Sequence, residues 1–162
     1  MNITENQNWK KAELDFCSLM EGFGGCTLVS ELKMQYKDID ATLKDGRTVS
    51  IKEQTMVSKY NTVLFEYLQV DTSNYSTMEG SFLKCEADLY AITYDDVWLI
   101  LDAKKLKQFI LSGIWKDVRT TAKAEQFNTN KRGSKYTRTY NYKVPLDSLI
   151  GSNAFLWKGT RI

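Results

Sequence analysis

Asp40 and Lys52 fall on the two arms of a predicted hairpin, and an acid and a lysine brought together in that way can do phosphodiester chemistry. The carboxylate binds a metal ion that activates water, while the ammonium stabilises charge developing on phosphorus or orients the nucleophile. Side chains along a strand alternate between faces. Lys52 therefore shares a face with Ser50 and Gln54, and Val49, Ile51 and Glu53 point the other way. Three further acids are candidates to join the pair. Glu66 lies in the next β-rich run, Glu53 is on the opposite face unless a bulge rotates the strand, and Glu21 closes the first helix. Each residue also has an ordinary structural reading: Asp40 as a solvated strand residue, Lys52 as exposed decoration of a hairpin, Glu66 as the partner of a lysine. Glu66 is the hardest to set aside, because it interrupts an apolar run and a lone buried carboxylate is costly.

Composition narrows the chemistry. The chain has no histidine, which removes Ser-His-Asp and Cys-His nucleophile systems and His-ligated zinc hydrolases. Hydrolysis must then use carboxylates, lysine and a hard cation that prefers oxygen ligands, Mg²⁺ or Mn²⁺. Cys17, Cys26 and Cys85 are odd in number, scattered and without a CxxC pair; the expectation is three reduced, mostly buried thiols. No apolar run approaches the roughly 18–20 residues of a membrane span, and the N-terminus lacks the pattern of a signal peptide. A cytoplasmic protein without a membrane partner is expected. With 162 residues, one domain spanning 1–162 is the economical reading.

These residues need elements to position them. Residues 6–21 read as an amphipathic helix stopped by Gly22, Gly24 and Gly25. Leu32 to Leu43 reads as a strand, joined by the turn Lys44-Asp45-Gly46-Arg47 to a second arm, Thr48 to Gln54. A polar stretch, 55–61, leads to a strand from Thr62 to Val70, and 71–81 reads as a surface loop. Ala87–Ile92 and Val97–Leu101 form a strand pair around Tyr94-Asp95-Asp96; Asp102 caps a helix from Ala103 to Leu111, and Leu146–Ile150 forms a last short helix. The expected class is α/β (α+β), with a mixed central sheet flanked by helices.

The net charge of +2 is small, yet 116–143 carries Lys116, Arg119, Lys123, Lys131, Arg132, Lys135, Arg138 and Lys143 against only Asp117 and Glu125. Tyr136, Tyr140 and Tyr142 are interleaved. Such a segment is either a solvated loop or a nucleic-acid contact, with cations on phosphates and aromatics on bases. In the second case Lys131, Arg132, Lys135, Tyr136 and Arg138 are the candidate contacts.

Asp40, a short hairpin and then Ser50-Ile51-Lys52 resemble the PD-(D/E)XK nucleases of the restriction-endonuclease-like fold, in which an Asp on one strand is followed on the next by an acid, any residue and lysine. Leu64-Phe65-Glu66-Tyr67 is similar to the third-strand segment of small phage and mobile-element members, and Gly80 to Asp88 looks like their loop leading into an Ala-Asp-aromatic strand. Ser50 departs from the pattern where an acid belongs. The resemblance extends to a subgroup with Ser-any-Lys, in which a Glu further along replaces that acid; Glu66 is preferred to Glu53 for this role. It also implies a first-helix Glu near the metal, here Glu21, and a polar residue after the lysine, here Gln54, holding water or phosphate. The implied set is Asp40, Lys52, Glu66 and Gln54 as catalytic residues, with Asp40, Glu66, Glu21 and Glu53 as metal ligands. The implied activity is hydrolysis of DNA with Mg²⁺ or Mn²⁺, the partner DNA, and the assembly a homodimer, because nucleases of this fold often pair to cut both strands. The contrasting reading is a fold relative that lost its acid at position 50 and only binds nucleic acid or a protein.

Overall fold

The computed structural model describes residues 3–55, 57–116, 125–132 and 135–160, with side chains over 10–55, 57–116 and 137–160. The elements run α1 (Ile3–Glu21), β1 (Cys26–Leu28), α2 (Leu32–Tyr36), β2 (Ala41–Leu43), β3 (Thr48–Glu53), α3 (Val57–Tyr60), β4 (Thr62–Asp71) and β5 (Thr77–Glu79). They continue with α4 (Ser81–Lys84), β6 (Leu89–Tyr94), β7 (Val97–Asp102), α5 (Ala103–Ser112), β8 (Glu125–Arg132), β9 (Lys135–Pro145), α6 (Leu146–Ile150) and β10 (Phe155–Thr160).

Two sheets organise the chain. The larger has the order β1-β2-β3-β6-β7-β10 and the smaller β5-β4-β9-β8. In the larger sheet only β3 and β6 run parallel, so it is mixed. The smaller sheet grows partly from the crossover between β3 and β6, which contains β4 and β5, and partly from the segment after α5.

Period-two alternation on β3 separates two cores. Val49 and Ile51 face α1, whose Ala12, Phe16 and Leu19 recur at helical spacing and pack with Ala41, Leu43, Leu89, Ala91 and Trp98. The Phe16 and Trp98 rings meet edge to face at 5.4 Å. Ser50 and Lys52 lie on the other face, in register with Tyr90 and Ile92 of β6. Tyr90 and Ile92 belong to the second core, with Val63, Phe65, Phe82, Leu99, Leu101, Leu106, Ile110, Val144 and Leu149.

Several expected devices are present. Asp102 accepts a hydrogen bond from the Lys105 N–H at 2.8 Å, and α5 ends on Gly113 in the left-handed region. Asp95 and Asp96 both have positive φ, the conformation a tight hairpin needs at its two central residues. Three expectations are corrected. Leu32–Tyr36 is a short helix, and the strand begins only at Ala41. The loop 71–81 contains β5, paired to β4. The polar stretch 55–61 contains α3. Among the described residues, no helix is long and apolar enough to cross a membrane.

The cysteine reading also changes. Cys17 and Cys26 form a disulfide that ties α1 to β1, with Cα atoms 5.5 Å apart and a sequence separation of 9, so only Cys85 is a buried free thiol. The turn at Gly22–Gly25 folds the helix end back onto β1 and brings the two sulfurs together, a proximity that spacing alone does not show. Closing a loop of this size restricts the unfolded chain by about 2–3 kcal/mol. Urea unfolding of the Cys17→Ser, Cys26→Ser protein is expected to show that loss. An unchanged midpoint would mean the link contributes nothing to stability.

Candidate active site at the parting of two strands

The ladder between β2 and β3 stops at Ala41–Val49, whereas β3 continues to Glu53. The next N–H on that edge, from Ile51, is therefore left without a strand partner. Asp40 takes it through its carboxylate at 2.7 Å. A short side-chain bond thus closes the sheet where the two strands part and fixes the carboxylate in the crevice.

Asp38 occupies the same crevice, two residues earlier. The end of α2 positions it: Asp38 N–H bonds the Gln35 carbonyl and Ile39 N–H the Met34 carbonyl, with Asp38 at φ 57°. This is a Schellman ending with aspartate in place of glycine, a residue that tolerates the left-handed region. Asp38 is buried, accepts from Ser50 Oγ at 2.9 Å and pairs with Lys52 Nζ at 2.5 Å. Ser50 is itself fully buried and donates to the neighbouring acid.

Glu13 of α1 lies within electrostatic reach of Asp40. Its carboxyl is pushed up to about 7, first by burial and then by the negative charge of Asp40. Asp40 is likewise raised, mainly by burial, although Lys52 and the Ile51 N–H oppose this. Burial alone would lower Lys52, but the carboxylates of Asp38 and Asp40 outweigh it and hold the ammonium above its ordinary value. Asp38 and Lys52 are thus in contact, with Asp40 and Glu13 in electrostatic reach, the four coming from α1, the turn after α2 and β3.

Two carboxyls held above their ordinary values, each chiefly by burial, make stability fall with pH. A carboxyl with a higher pKa folded than unfolded binds more protons in the folded state between the two values. The window opens upward from 3.8 for Asp40 and runs from 4.5 to about 7 for Glu13. In EDTA the melting temperature is expected to decline across the Glu13 window, and Glu13→Gln to flatten that decline. Glu13 is partly exposed, so screening holds its share to on the order of 1 kcal/mol. A melting temperature that rises with pH over the same range would contradict the raised Glu13 carboxyl.

The other sequence candidates have different partners. Gln54 donates from Nε2 to the Leu64 carbonyl at 3.0 Å and accepts the Leu64 N–H at 3.3 Å, pinning β4 to the end of β3 rather than presenting its amide to a substrate. Glu66 lies at an irregularity in the β4–β9 ladder. Its carboxylate accepts from Gln69 Nε2 at 2.6 Å and from the Ser81 N–H at 3.2 Å. Gly80 allows this close packing, since a Cβ there would lie 2.4 Å from the Glu66 carbonyl oxygen. Glu53 is exposed at the end of β3, and Glu21 is exposed at the end of α1. Asp88 accepts from both the N–H and the hydroxyl of Thr48, a structural role. Lys131, Arg132, Lys135 and Tyr136 lie on β8 and β9, but their side chains are outside the described residues; Arg138 is exposed on β9.

Among the described residues, no three acids or cysteines are grouped so as to hold a metal ion between them. Mg²⁺ does not require that many, because it commonly binds through one or two carboxylates plus water and substrate phosphates. Glu13 and Asp40 are the two carboxylates that such a site would use, and a divalent cation between them would offset the burial and the repulsion that raise Glu13. Comparisons with protein-family models, with curated proteins and with solved structures find no match to this chain.

Proposed function

We propose that this chain is a metal-dependent nuclease of the PD-(D/E)XK type that hydrolyses phosphodiester bonds in DNA. One observation carries the reading: the Asp40 carboxylate, fixed on the Ile51 N–H where β2 and β3 part, lies within electrostatic reach of both the Glu13 carboxyl and the Lys52 ammonium. A mixed central sheet flanked by helices, with Asp40 before β2 and Ser50-Ile51-Lys52 on β3, agrees with the layout that the resemblance implies.

In this reading the metal ligands are Asp40 and Glu13, and Glu13 rather than Glu66 stands in for the acid missing at Ser50. A Mg²⁺ or Mn²⁺ held there supplies Lewis acidity and an activated water. The remaining work falls to the chain itself. An ammonium has three donors, of which Asp38 takes one, and the Lys52 side chain remains 24% exposed. It is therefore poised to meet negative charge that develops on the phosphoryl oxygens. Asp38 is a positioning residue, acting through Lys52. Ser50 holds Asp38 in place.

A second reading has support of its own. Asp38 is already matched by Lys52 and Ser50, and no three-acid group is present among the described residues. A fold relative that binds nucleic acid or protein without cutting it would retain this arrangement as a structural pair. The readings separate when purified protein is incubated with supercoiled, linear and branched DNA in Mg²⁺, Mn²⁺ or EDTA. Metal-dependent cleavage supports the nuclease. Binding without cleavage in any metal supports the second reading.

A further inference from the structure

The β8–β9 hairpin outreaches the sheet it belongs to. Pairing of β9 with β4 ends at Thr137–Asp71, whereas pairing of β9 with β8 continues through Tyr136–Lys131 to Lys135–Arg132. The last pairs form a two-stranded ribbon, and three of their four residues are cationic. The charge of the whole chain is concentrated in this hairpin. Of 22 Lys and Arg and 20 Asp and Glu, the segment 125–145 holds five bases and one acid, leaving 17 bases against 19 acids elsewhere.

The tyrosines complete the argument. Tyr142 stacks on Tyr67 with ring centroids 4.3 Å apart, and Tyr140 lies 6.3 Å from the same ring. Tyr142 also meets Phe82 and Trp115 edge-on. The alternative in which the interleaved aromatics stack on bases gives way, for Tyr140 and Tyr142, to an internal aromatic ladder. Single-strand binding relies on aromatic platforms for unstacked bases, and these two rings are already engaged. A duplex needs cations for its phosphates instead. The major groove of B-form DNA is also wide enough to admit a two-stranded β-ribbon, whereas that of A-form RNA is deep and narrow.

We infer that the β8–β9 ribbon is an arm that grips duplex DNA by its backbone, at a distance from the crevice that the strand register sets. Gln54 ties the end of β3 to Leu64, Leu64 pairs with Lys143, and β9 runs from Lys143 to Lys135 at the ribbon. At strand rise this path is about 25 Å long. Duplex DNA rises 3.4 Å per step, so the arm reaches about seven base pairs from the crevice. The choice of DNA as ligand rests on the nuclease reading; the arm itself rests on register and charge.

The test is fluorescence anisotropy in EDTA, where nothing is cut, with labelled B-form duplexes of about 6 and about 16 base pairs, single strands of equal length and an RNA duplex. The wild-type chain is expected to bind the longer DNA duplex at least tenfold more tightly than the shorter one, the single strand or the RNA. The Lys131→Ala, Arg132→Ala, Lys135→Ala protein is expected to lose that preference, with its salt slope shallower by about 2–3. Circular dichroism checks that this variant folds, and the wild-type length series stands by itself if it does not. Equal affinity for single strand or RNA, no dependence on length, or a folded variant that binds as before would each overturn the arm. Length-dependent duplex binding without cleavage in any metal would retire the nuclease reading and leave the arm standing. Cleavage by a folded triple variant with wild-type affinity would do the reverse.

Discussion

Asp40→Asn is expected to abolish metal-dependent cleavage while leaving the fold intact. An amide oxygen can still accept the Ile51 N–H that Asp40 now takes at 2.7 Å, so the closure of β2 onto β3 survives. What disappears is the charge. A bound divalent ion contributes several kcal/mol of transition-state stabilisation, and each 1.4 kcal/mol is a factor of ten in rate. The loss should therefore be about 10³-fold or more, read as single-turnover cleavage at saturating Mn²⁺. Because the negative charge of Asp40 also raises Glu13, the variant should return Glu13 toward its ordinary range, which carboxyl NMR can follow. A variant that cuts within tenfold of wild type would remove Asp40 from the site.

Lys52→Met is expected to cost the largest share of stability of any single change in the crevice. Among the described residues it leaves the buried Asp38 carboxylate with the Ser50 hydroxyl as its hydrogen-bond donor. Breaking a buried pair from one side costs about 3–5 kcal/mol, and the partial exposure of Lys52 places the effect toward the lower end. The companion Asp38→Asn, Lys52→Met protein removes both charges and should recover most of the loss, because a neutral pair has less desolvation to compensate. Urea midpoints of the two variants test this. Neither should cleave.

The same pair gives the alkaline behaviour a sign. The folded Lys52 pKa lies above its ordinary 10.5. Its contribution is therefore fully present below that value and is lost as pH rises through the folded pKa. Alkaline unfolding of the wild type should show this loss, and Lys52→Met should lack it.

Much of the frame was legible because local chemistry agrees with the fold. Asp45-Gly46 marks the β2–β3 turn, Asp102 and Gly113 bracket α5, and alternation on β3 separates Lys52 from Ile51. What escaped was tertiary. Leu32–Tyr36 is too short for helical periodicity to stand out, so Asp38 was read as a strand residue rather than as a helix ending; a run closed by an aspartate tolerant of positive φ was the available signal. Glu13 sits one residue from buried Ala12, in a stretch that reads as the polar face of α1, and nothing local reveals that Asp40 lies across from it. Glu66 was correctly placed in a strand, but its partners, Gln69 and Ser81, come from an irregular ladder and a close approach at Gly80. β10 leaves no strand signal in the sequence, since Phe155–Thr160 is brief and includes a glycine. Division into two sheets depends on which strands pair, and alternation within a strand carries no record of its partner.

The most direct measurement is nicking of supercoiled DNA in Mn²⁺ by the wild type beside Asp40→Asn, Glu13→Gln and Glu66→Ala. The account predicts nicking by the wild type and by Glu66→Ala, and none by the Asp40 and Glu13 variants. No nicking by any of them, or nicking that needs Glu66 and survives loss of Glu13, would contradict it.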